Sequence, residues 1–277
     1  MEKIQFIKMH GLGNDFVIID RRREGEMPPR AVMARMTNRK LGIGCDQVIP
    51  ILPPQDPKAD VFMRIINSPD ATEAQACGNA TRCVAEMIMK EKNSSSCVIQ
   101  TVAGLLYCTQ QDDGRIKVDM GIPRLKWNEI PVREECDTLF MPLPLDEEEG
   151  EMPVGVNIGN PHAVFFVRDV EHFPVKEIGS RLEHAPLFPE KANIEFAKVI
   201  NRQHIRMRVW ERDSGETDAC GSAACATMVA AFRRGYVDRK CVVELNGGIL
   251  EFEWRESDSH ICMTGPVSYV FKGEMEQ

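Results

Sequence analysis

The sequence predicts an α+β protein of two similar domains, each with many short strands and one principal helix. Three observations carry this: a duplicated cysteine loop, a helix-like run directly behind each copy, and matched strand-like runs on either side. Asp70 to Ala80 reads DATEAQACGNA and Asp213 to Ala223 reads DSGETDACGSA. The first aspartate, a glutamate, the Ala-Cys-Gly core and the closing alanine recur, with Cys77 aligned on Cys220. A repeat of this kind decides the fold before any local pattern does.

Each element has its counterpart. HGLGNDFVIID (His10 to Asp20) and NIGNPHAVFFV (Asn157 to Val167) both read as a Gly-Asn turn entering a strand. VFMRIIN (Val61 to Asn67) and IRMRVWE (Ile205 to Glu211) are alternating, strand-like runs. Behind the cysteine loops, TRCVAEMIMKEK and ACATMVAAFRRG are helix-like, and Gly235 closes the second as a C-cap residue. CVIQTVAGLL (Cys97 to Leu106) and CVVELNGGIL (Cys241 to Leu250) are strand pairs around a turn, with Asn246-Gly247 the stronger hairpin signal.

The halves join near Gly121 to Arg133, giving an N-terminal domain over residues 1–121 and a C-terminal one over 122–266. The acidic LPLDEEEGEMP (Leu143 to Pro153) reads as a solvated loop, and the closing GPVSYVFKG is placed to return to the first domain as residues 267–277. A length of 277 residues agrees with two domains at about 150 residues each.

Composition narrows the function. A hydrophobic share of 43% with 27% charged residues is that of a globular chain, not a disordered one. The net charge of −8 argues against nucleic acid, which demands a basic face. No apolar run approaches the ~18 residues of a membrane span. The opening MEKIQFIKMHG lacks a signal peptide's apolar core, so the expected place is the cytoplasm and the ten cysteines are expected to be reduced.

Cys77 and Cys220 each precede a helix, where unpaired backbone N–H groups and the dipole favour anions and thiolates. In a pseudo-symmetric pair of domains they are expected to approach one ligand from opposite sides. The N–H groups of Gly78-Asn79 and Gly221-Ser222 suit a carboxylate. Two proton carriers on opposite faces of a carboxylate-bearing carbon are what stereoinversion requires: one thiolate removes the α-proton while the other thiol delivers one from behind. The constellation requires no metal and no organic cofactor.

Blander readings stand beside this one. Cys45, Cys83, Cys97, Cys108, Cys136, Cys225, Cys241 and Cys262 read as structural thiols. No Cys-x-x-Cys pair supports a zinc site, while a redox Cys77–Cys220 disulfide is chemically open. His10-Gly-Leu-Gly-Asn lacks the third glycine of a dinucleotide fingerprint. Taken alone, His162 reads as a loop histidine and Glu211-Arg212 as a surface ion pair.

Read end to end, the motifs KMHGLGNDFVIID, GIGCDQ, ACGNATRC, NIGNPHAV, ANIEF, ERDSGETDACGSAACA and MTGPV stand in an order that resembles the diaminopimelate epimerases. The resemblance implies two domains, each a curved, mostly antiparallel sheet wrapped round a central helix. It implies a cofactor-independent interconversion of LL- and meso-2,6-diaminopimelate, serving lysine and peptidoglycan synthesis, and a homodimer as the working form.

In this resemblance Cys77 and Cys220 are the catalytic pair, and His162 and Glu211 tune their thiols. Gly78, Asn79, Gly221 and Ser222 hold the reacting carboxylate. Asn14, Gln47, Asn67, Asn160, Asn193, Glu211 and Arg212 bind the far end of the substrate, Arg212 as a fork on a carboxylate. The nearest alternatives are a hydroxyproline- or histidine-type racemase and, from another class, a thiol redox protein.

Three departures from the family pattern stand out. One extra residue lies between Asn67 and Glu73, Ala80 and Ala223 replace glycines, and Asp213 replaces a glycine beside Arg212.

Overall fold

The computed structural model describes residues 3–69, 71–143, 145 and 150–276, so Asp70 of the first repeat and the acidic stretch 146–149 lie outside the described residues. The architecture is α+β, and the chain divides into two compact units. The first spans Met1–Asp119 and Thr264–Gln277, the second Met120–Met263.

The first unit opens with β1 (Lys3–Gly11) and β2 (Asn14–Asp20), a hairpin that pairs Gly11 with Asn14. Its two-residue turn, Leu12 (φ 56) and Gly13 (φ 89), lies wholly in the left-handed region, as the tightest hairpin turns require. After α1 (Arg30–Thr37) come β3 (Gln47–Leu52), β4 (Val61–Met63), β5 (Ile65–Asn67) and β6 (Glu73–Ala74). The run Val61 to Asn67, expected as one strand, is divided at Arg64. Its register against β3 continues across the break, from Ile51↔Met63 to Val48↔Ile66. The residue opposite Arg64 is Pro50, which has no N–H to give to the ladder and leaves only the Arg64 N–H to Pro50 O bond of 2.9 Å.

Helix α2 (Gly78–Lys92) follows, then β7 (Ser96–Thr101), β8 (Gly104–Gln110) and β9 (Ile116–Asp119). The second unit contains β10 (Val154–Asn157), β11 (Pro161–Phe166), α3 (Val175–Glu183), β12 (Asn193–Asn201), β13 (His204–Glu211) and β14 (Gly215–Thr217). It continues with α4 (Gly221–Arg233), β15 (Lys240–Leu245), β16 (Gly248–Trp254) and β17 (Ile261–Gly265). The last strand, β18 (Ser268–Glu276), runs antiparallel to β1 from His10↔Ser268 to Lys3↔Glu276.

The repeat reappears step by step in the strand pairing. In the first unit β1–β2 is antiparallel, β2–β3 parallel, β3–β4 antiparallel, β4–β7 parallel and β7–β8 antiparallel. In the second unit β10–β11, β11–β12, β12–β13, β13–β15 and β15–β16 follow the same sequence of directions. Both expected hairpins form, closing Thr101 on Gly104 and Leu245 on Gly248.

Each unit wraps its strands round one buried helix. Helix α2 is buried without a break from Gly78 to Glu86 and packs on β1, β7, β8 and β9. Helix α4 is buried from Ala223 to Ala231 and packs on β10, β11, β12 and β15. A helix enclosed on nearly all sides has no solvent face over that stretch; α4 meets this with mostly small apolar residues, whereas α2 also buries the polar side chains of Asn79, Thr81, Arg82 and Glu86.

Both helices also end alike. Gly235 (φ 74) donates to Phe232 O at 2.8 Å and Tyr236 N–H to Ala231 O at 2.9 Å, the paired bonds of a Schellman close. In the first unit Asn93 (φ 49) takes the glycine's place, donating to Lys90 O, while Ser94 N–H reaches Met89 O at 3.0 Å.

Candidate active site

Cys77 and Cys220 occupy equivalent positions, each in extended backbone at the residue before its helix: φ −149 and ψ 108 for Cys77, φ −127 and ψ 113 for Cys220. Each thiol therefore stands at the N-terminal end of its helix, where the first-turn N–H groups have no partner within the helix. Ala80 and Ala223, the replaced glycines, lie fully buried in those turns, where a methyl group packs and helix formation gains.

In the first unit the Cys77 thiol donates to Asn14 Oδ1 at 3.8 Å, and Asn79 Nδ2 donates to the same oxygen at 3.2 Å. The Asn14 Nδ2 in turn donates to Asp46 Oδ2 at 2.9 Å. Asp15 and Asp46 exchange backbone-to-carboxylate bonds of 3.1 and 2.9 Å, and Arg39 spans both carboxylates at 2.7 and 2.8 Å. Lys8, buried, completes the cluster at 2.5 Å from Asp15. Burial alone would push the Asp15 carboxyl up, but Arg39 and Lys8 outweigh it and hold the group well below the ordinary carboxylate range.

Gln47 and Asn67 face each other across the β3–β5 ladder, and Gln47 Nε2 donates to Asn67 Oδ1 at 2.8 Å. The extra residue of the following loop leaves Asn67 in its strand. Asn67 N–H bonds to Thr72 O at 2.8 Å and Ala71 N–H to Asn67 O at 3.1 Å, so the loop closes back on the strand end.

In the second unit Cys220 is buried, and its Sγ lies 3.5 Å from Ser222 Oγ. Burial, then the Glu211 carboxylate, push its thiol well above the ordinary range, against the Ser222 hydroxyl that favours the thiolate. Glu211 itself accepts from the Thr217 hydroxyl.

Parallel pairing of β11 with β12 sets His162 opposite Asn193. His162 is fully buried, with Nδ1 2.6 Å from Glu195 Oε1 and Nε2 2.8 Å from Asn160 Oδ1. Asn193 ties this edge to the next strand: its Nδ2 donates to Pro161 O at 3.2 Å and its Oδ1 accepts from Arg212 N–H at 2.9 Å. His162 is thus a held core group rather than a loop histidine.

Arg212 donates to Glu190 O at 3.1 Å, whereas Asp213 is ion-paired to Lys191 and so does not draw on Arg212. Asp213 stands at φ 61, the conformation glycine ordinarily supplies, and aspartate is among the few side chains that tolerate it. The expected residues Cys77, Asn14, Asn79, Gln47, Asn67 and Gly78 belong to the first unit, and Asn160, His162, Asn193, Glu211, Arg212, Cys220, Gly221 and Ser222 to the second.

All ten cysteines are free thiols, and Cys136 alone of the eight read as structural is only half-buried. Among the described residues no group of three His, Cys, Asp or Glu side chains is arranged to hold a metal ion, and no helix is long and apolar enough to cross a membrane.

Comparison with known proteins decides the family. The diaminopimelate epimerase family model matches residues 6–126 and 154–270. The chain belongs to the diaminopimelate epimerase family. Family members from Rhodospirillum centenum and Caulobacter vibrioides are 48% and 46% identical to it, over 99% and 98% of the chain and 92% and 97% of the relatives.

Solved structures of the same fold reach beyond the family. A PhzF-family phenazine biosynthesis protein from Bacillus anthracis superposes with a TM-score of 0.70 at 19% identity, covering all of both chains. A hydroxyproline epimerase from Agrobacterium vitis, solved with trans-4-hydroxy-L-proline, gives 0.69 at 15% identity over 98% of this chain and 92% of its own.

Sequence reading passed over two acids that this geometry brings in. Asp46 stands in the GIGCDQ motif and Glu195 in ANIEF. Neither carries a local signal of its role, because each is defined by the partner that strand pairing brings to it.

Proposed function

We propose that the chain is an isomerase that interconverts LL- and meso-2,6-diaminopimelate by a two-thiol mechanism. The observation that carries this is the duplicated cysteine, set in the same extended backbone before the same kind of buried helix in both units. Membership in the diaminopimelate epimerase family supplies the substrate, and with it a place in lysine and peptidoglycan synthesis.

Cys77 and Cys220 are the two proton carriers. Burial and the Glu211 carboxylate favour the neutral thiol at Cys220, so it rests as the proton donor. The role of base then falls to Cys77: once the thiol proton that it holds against Asn14 Oδ1 has left to solvent, it removes the α-proton as Cys220 protonates the carbon from the other face. In the reverse reaction the roles exchange. The N–H groups of Gly78, Asn79, Gly221 and Ser222 hold the reacting carboxylate, where the helix dipoles stabilise the charge that develops as the proton leaves.

The amides of Asn14, Gln47, Asn67, Asn160 and Asn193, with Glu211 and Arg212, read the far ammonium and carboxylate. His162 and Glu211 set the proton affinity around the thiols. Neither pyridoxal phosphate nor a metal enters this scheme.

The working form in this reading is a cytoplasmic homodimer, supported by Tyr269, Val270 and Phe271, which stand 40%, 53% and 49% exposed on β18. Sedimentation of the purified chain checks the dimer.

The deciding experiment incubates the reduced protein with LL-diaminopimelate in deuterium oxide and follows stereoisomer ratio and α-deuteration together. Drift toward the meso form with deuterium incorporated is the expected result. Inversion without exchange contradicts the mechanism, and inactivity on diaminopimelate with turnover of hydroxyproline contradicts the substrate.

A further inference from the structure

We propose that the tips of the β7–β8 and β15–β16 hairpins are clamps that position the two proton-carrying cysteines, and that Arg206 and Asn246 are positioning residues which set the clamp on Cys220. The inference rests on the functional reading above, in which Cys77 and Cys220 carry the protons.

The same bond occurs in both units. A two-residue link joins a short strand to the cysteine in each: Gln75-Ala76 between β6 and Cys77, and Asp218-Ala219 between β14 and Cys220. The carbonyl of the link's first residue, two places before the cysteine, is taken by a hairpin turn. Ala103 N–H donates to Gln75 O at 3.3 Å, and Gly247 N–H to Asp218 O at 2.8 Å. Both turns close on a glycine in the same backbone, Gly104 at φ 134 and Gly248 at φ 136, which other residues rarely adopt. Behind each cysteine its own helix holds the carbonyl, with Thr81 N–H on Cys77 O at 2.9 Å and Ala224 N–H on Cys220 O at 3.1 Å. Each cysteine is thereby gripped on both sides, by its helix and by a hairpin that follows that helix in the chain.

Closing a hairpin does not require this bond. Val102, Ala103, Asn246 and Gly247 are exposed, and an N–H at an exposed tip is satisfied by water. A donor turned instead onto the equivalent carbonyl in both units fixes where the cysteine backbone stands against the sheet. Misplacing a reacting group by about 1 Å costs on the order of a hundredfold in rate.

In the second unit side chains set the tip. Arg206 on β13, its side chain only 13% exposed, donates Nη2 to Asn246 Oδ1 at 2.6 Å, Nη1 to Met207 O at 2.7 Å and Nε to Glu171 at 2.7 Å. A guanidinium only donates, so the amide atom that faces it is the oxygen. Arg206 thus fixes Asn246, and with it the Asn246–Gly247 peptide whose N–H reaches Asp218. The first unit braces its tip from within, the Thr101 hydroxyl donating to Gly104 O at 3.1 Å, and its clamp bond is the longer one.

The test joins amide hydrogen exchange at single-residue resolution with kinetics of Asn246 variants. In the wild type the Ala103 and Gly247 amides, despite their exposed places, are expected to exchange at least about tenfold more slowly than unbonded amides. Asn246→Leu removes the oxygen that Arg206 holds. Gly247 exchange then rises and kcat falls about fivefold, the worth of one hydrogen bond, while KM for diaminopimelate changes less. Asn246→Asp, which keeps an oxygen for Arg206, restores both.

A second comparison separates positioning from mere hairpin stability. Alkylation of Cys220 in Cys77→Ala is expected to quicken when Asn246→Leu is added, while the buried Cys225 and Cys241 of the same unit stay unreactive. Cys77 alkylation in Cys220→Ala is expected to be unmoved by Asn246→Leu. Free exchange at Gly247 in the wild type, unchanged kcat and Cys220 reactivity in Asn246→Leu, no rescue by Asn246→Asp, or an equal rise at Cys225 and Cys241 overturns the inference. Failure of the wild type to turn over diaminopimelate overturns the functional reading instead, and Gly247 exchange with Cys220 alkylation still judges the clamp.

Discussion

Asn14 presents its side-chain oxygen to the Cys77 sulfur at 3.8 Å because Asp46 grips the other end of the same amide at 2.9 Å. An amide can turn its oxygen and nitrogen about, and its partners decide which end faces the thiol: Asn79 Nδ2 donates to the oxygen at 3.2 Å, and an acceptor holds the nitrogen on the other side. Asp46 is that acceptor, itself fixed by Arg39 at 2.8 Å and by the Asp15 backbone N–H at 3.1 Å.

Asp46→Ala is accordingly expected to leave the fold intact and release the Asn14 amide. Loss of one such hydrogen bond is worth about 1 kcal/mol, about a fivefold fall in kcat/KM. Steady-state kinetics with both stereoisomers checks this, and an unchanged kcat/KM in Asp46→Ala removes Asp46 from the account. Asn14→Asp places a second carboxylate against Asp46 and the sulfur, and is expected to be the more damaging change.

The pH behaviour of Cys220 gives a second expectation. Burial and then the Glu211 carboxylate raise this thiol well above its ordinary 9.0, so it is protonated throughout the neutral range. Alkylation of Cys220 in Cys77→Ala, read by peptide mass spectrometry, is expected to stay slow at pH 8 and to rise only in strong alkali. Glu211→Gln removes the repelling charge while keeping the volume, so the rise moves to lower pH. Fast alkylation at pH 7 in Cys77→Ala contradicts the assignment of Cys220 as resting donor.

Much of this was legible in the sequence, for reasons that are local. The cysteine loops, the buried helices, the Gly235 close and both hairpins depend on residues near one another in the chain. The site's polar framework does not. Glu195 meets His162 only through the parallel β11–β12 register, Gln47 meets Asn67 only through β3–β5, and the Asp213 charge is spent on Lys191 rather than Arg212. The division of the Val61 to Asn67 run was hidden for the same cause: the proline responsible lies on the facing strand.

Asp15 ties the first unit's site to its stability. The Asp15 carboxyl, 16% exposed, sits between Lys8 and Arg39 and has its pKa depressed below the ordinary 3.8 in the folded chain. A group depressed on folding contributes fully above its unfolded pKa and loses that contribution as pH falls through the folded value. Asp15→Asn is expected to lose about 2 kcal/mol at pH 7, since it strands the buried Lys8 ammonium. Urea unfolding of both proteins at pH 7, 5 and ~3.5 checks the sign: the difference should hold between the first two and narrow at the third. A gap that widens on acidification contradicts the assignment.

The last expectation concerns Gly179 in α3, where the site's outer strand rests on a helix with no room to give. A methyl group on Gly179 meets the Trp210 side chain at 2.5 Å from Cβ and 2.7 Å from Cγ, well inside contact distance. Trp210 has no easy retreat, because its indole N–H is bonded to Glu183 Oε2 at 2.7 Å, and Glu183 also accepts the Asp213 N–H at 2.9 Å. Gly179→Ala should gain in helix propensity and lose more through this clash, for a net destabilisation of about 1–3 kcal/mol. The strain falls on the residue before Glu211, so catalysis should weaken as well, through KM and kcat together. Thermal unfolding and kinetics of Gly179→Ala measure both, and the companion Gly179→Ala with Trp210→Phe, which gives up the Glu183 bond, should not recover full stability. A Gly179→Ala protein as stable and active as the wild type would show that α3 can slide away from β13, and the tight seating of Trp210 would then carry no weight in holding Glu211.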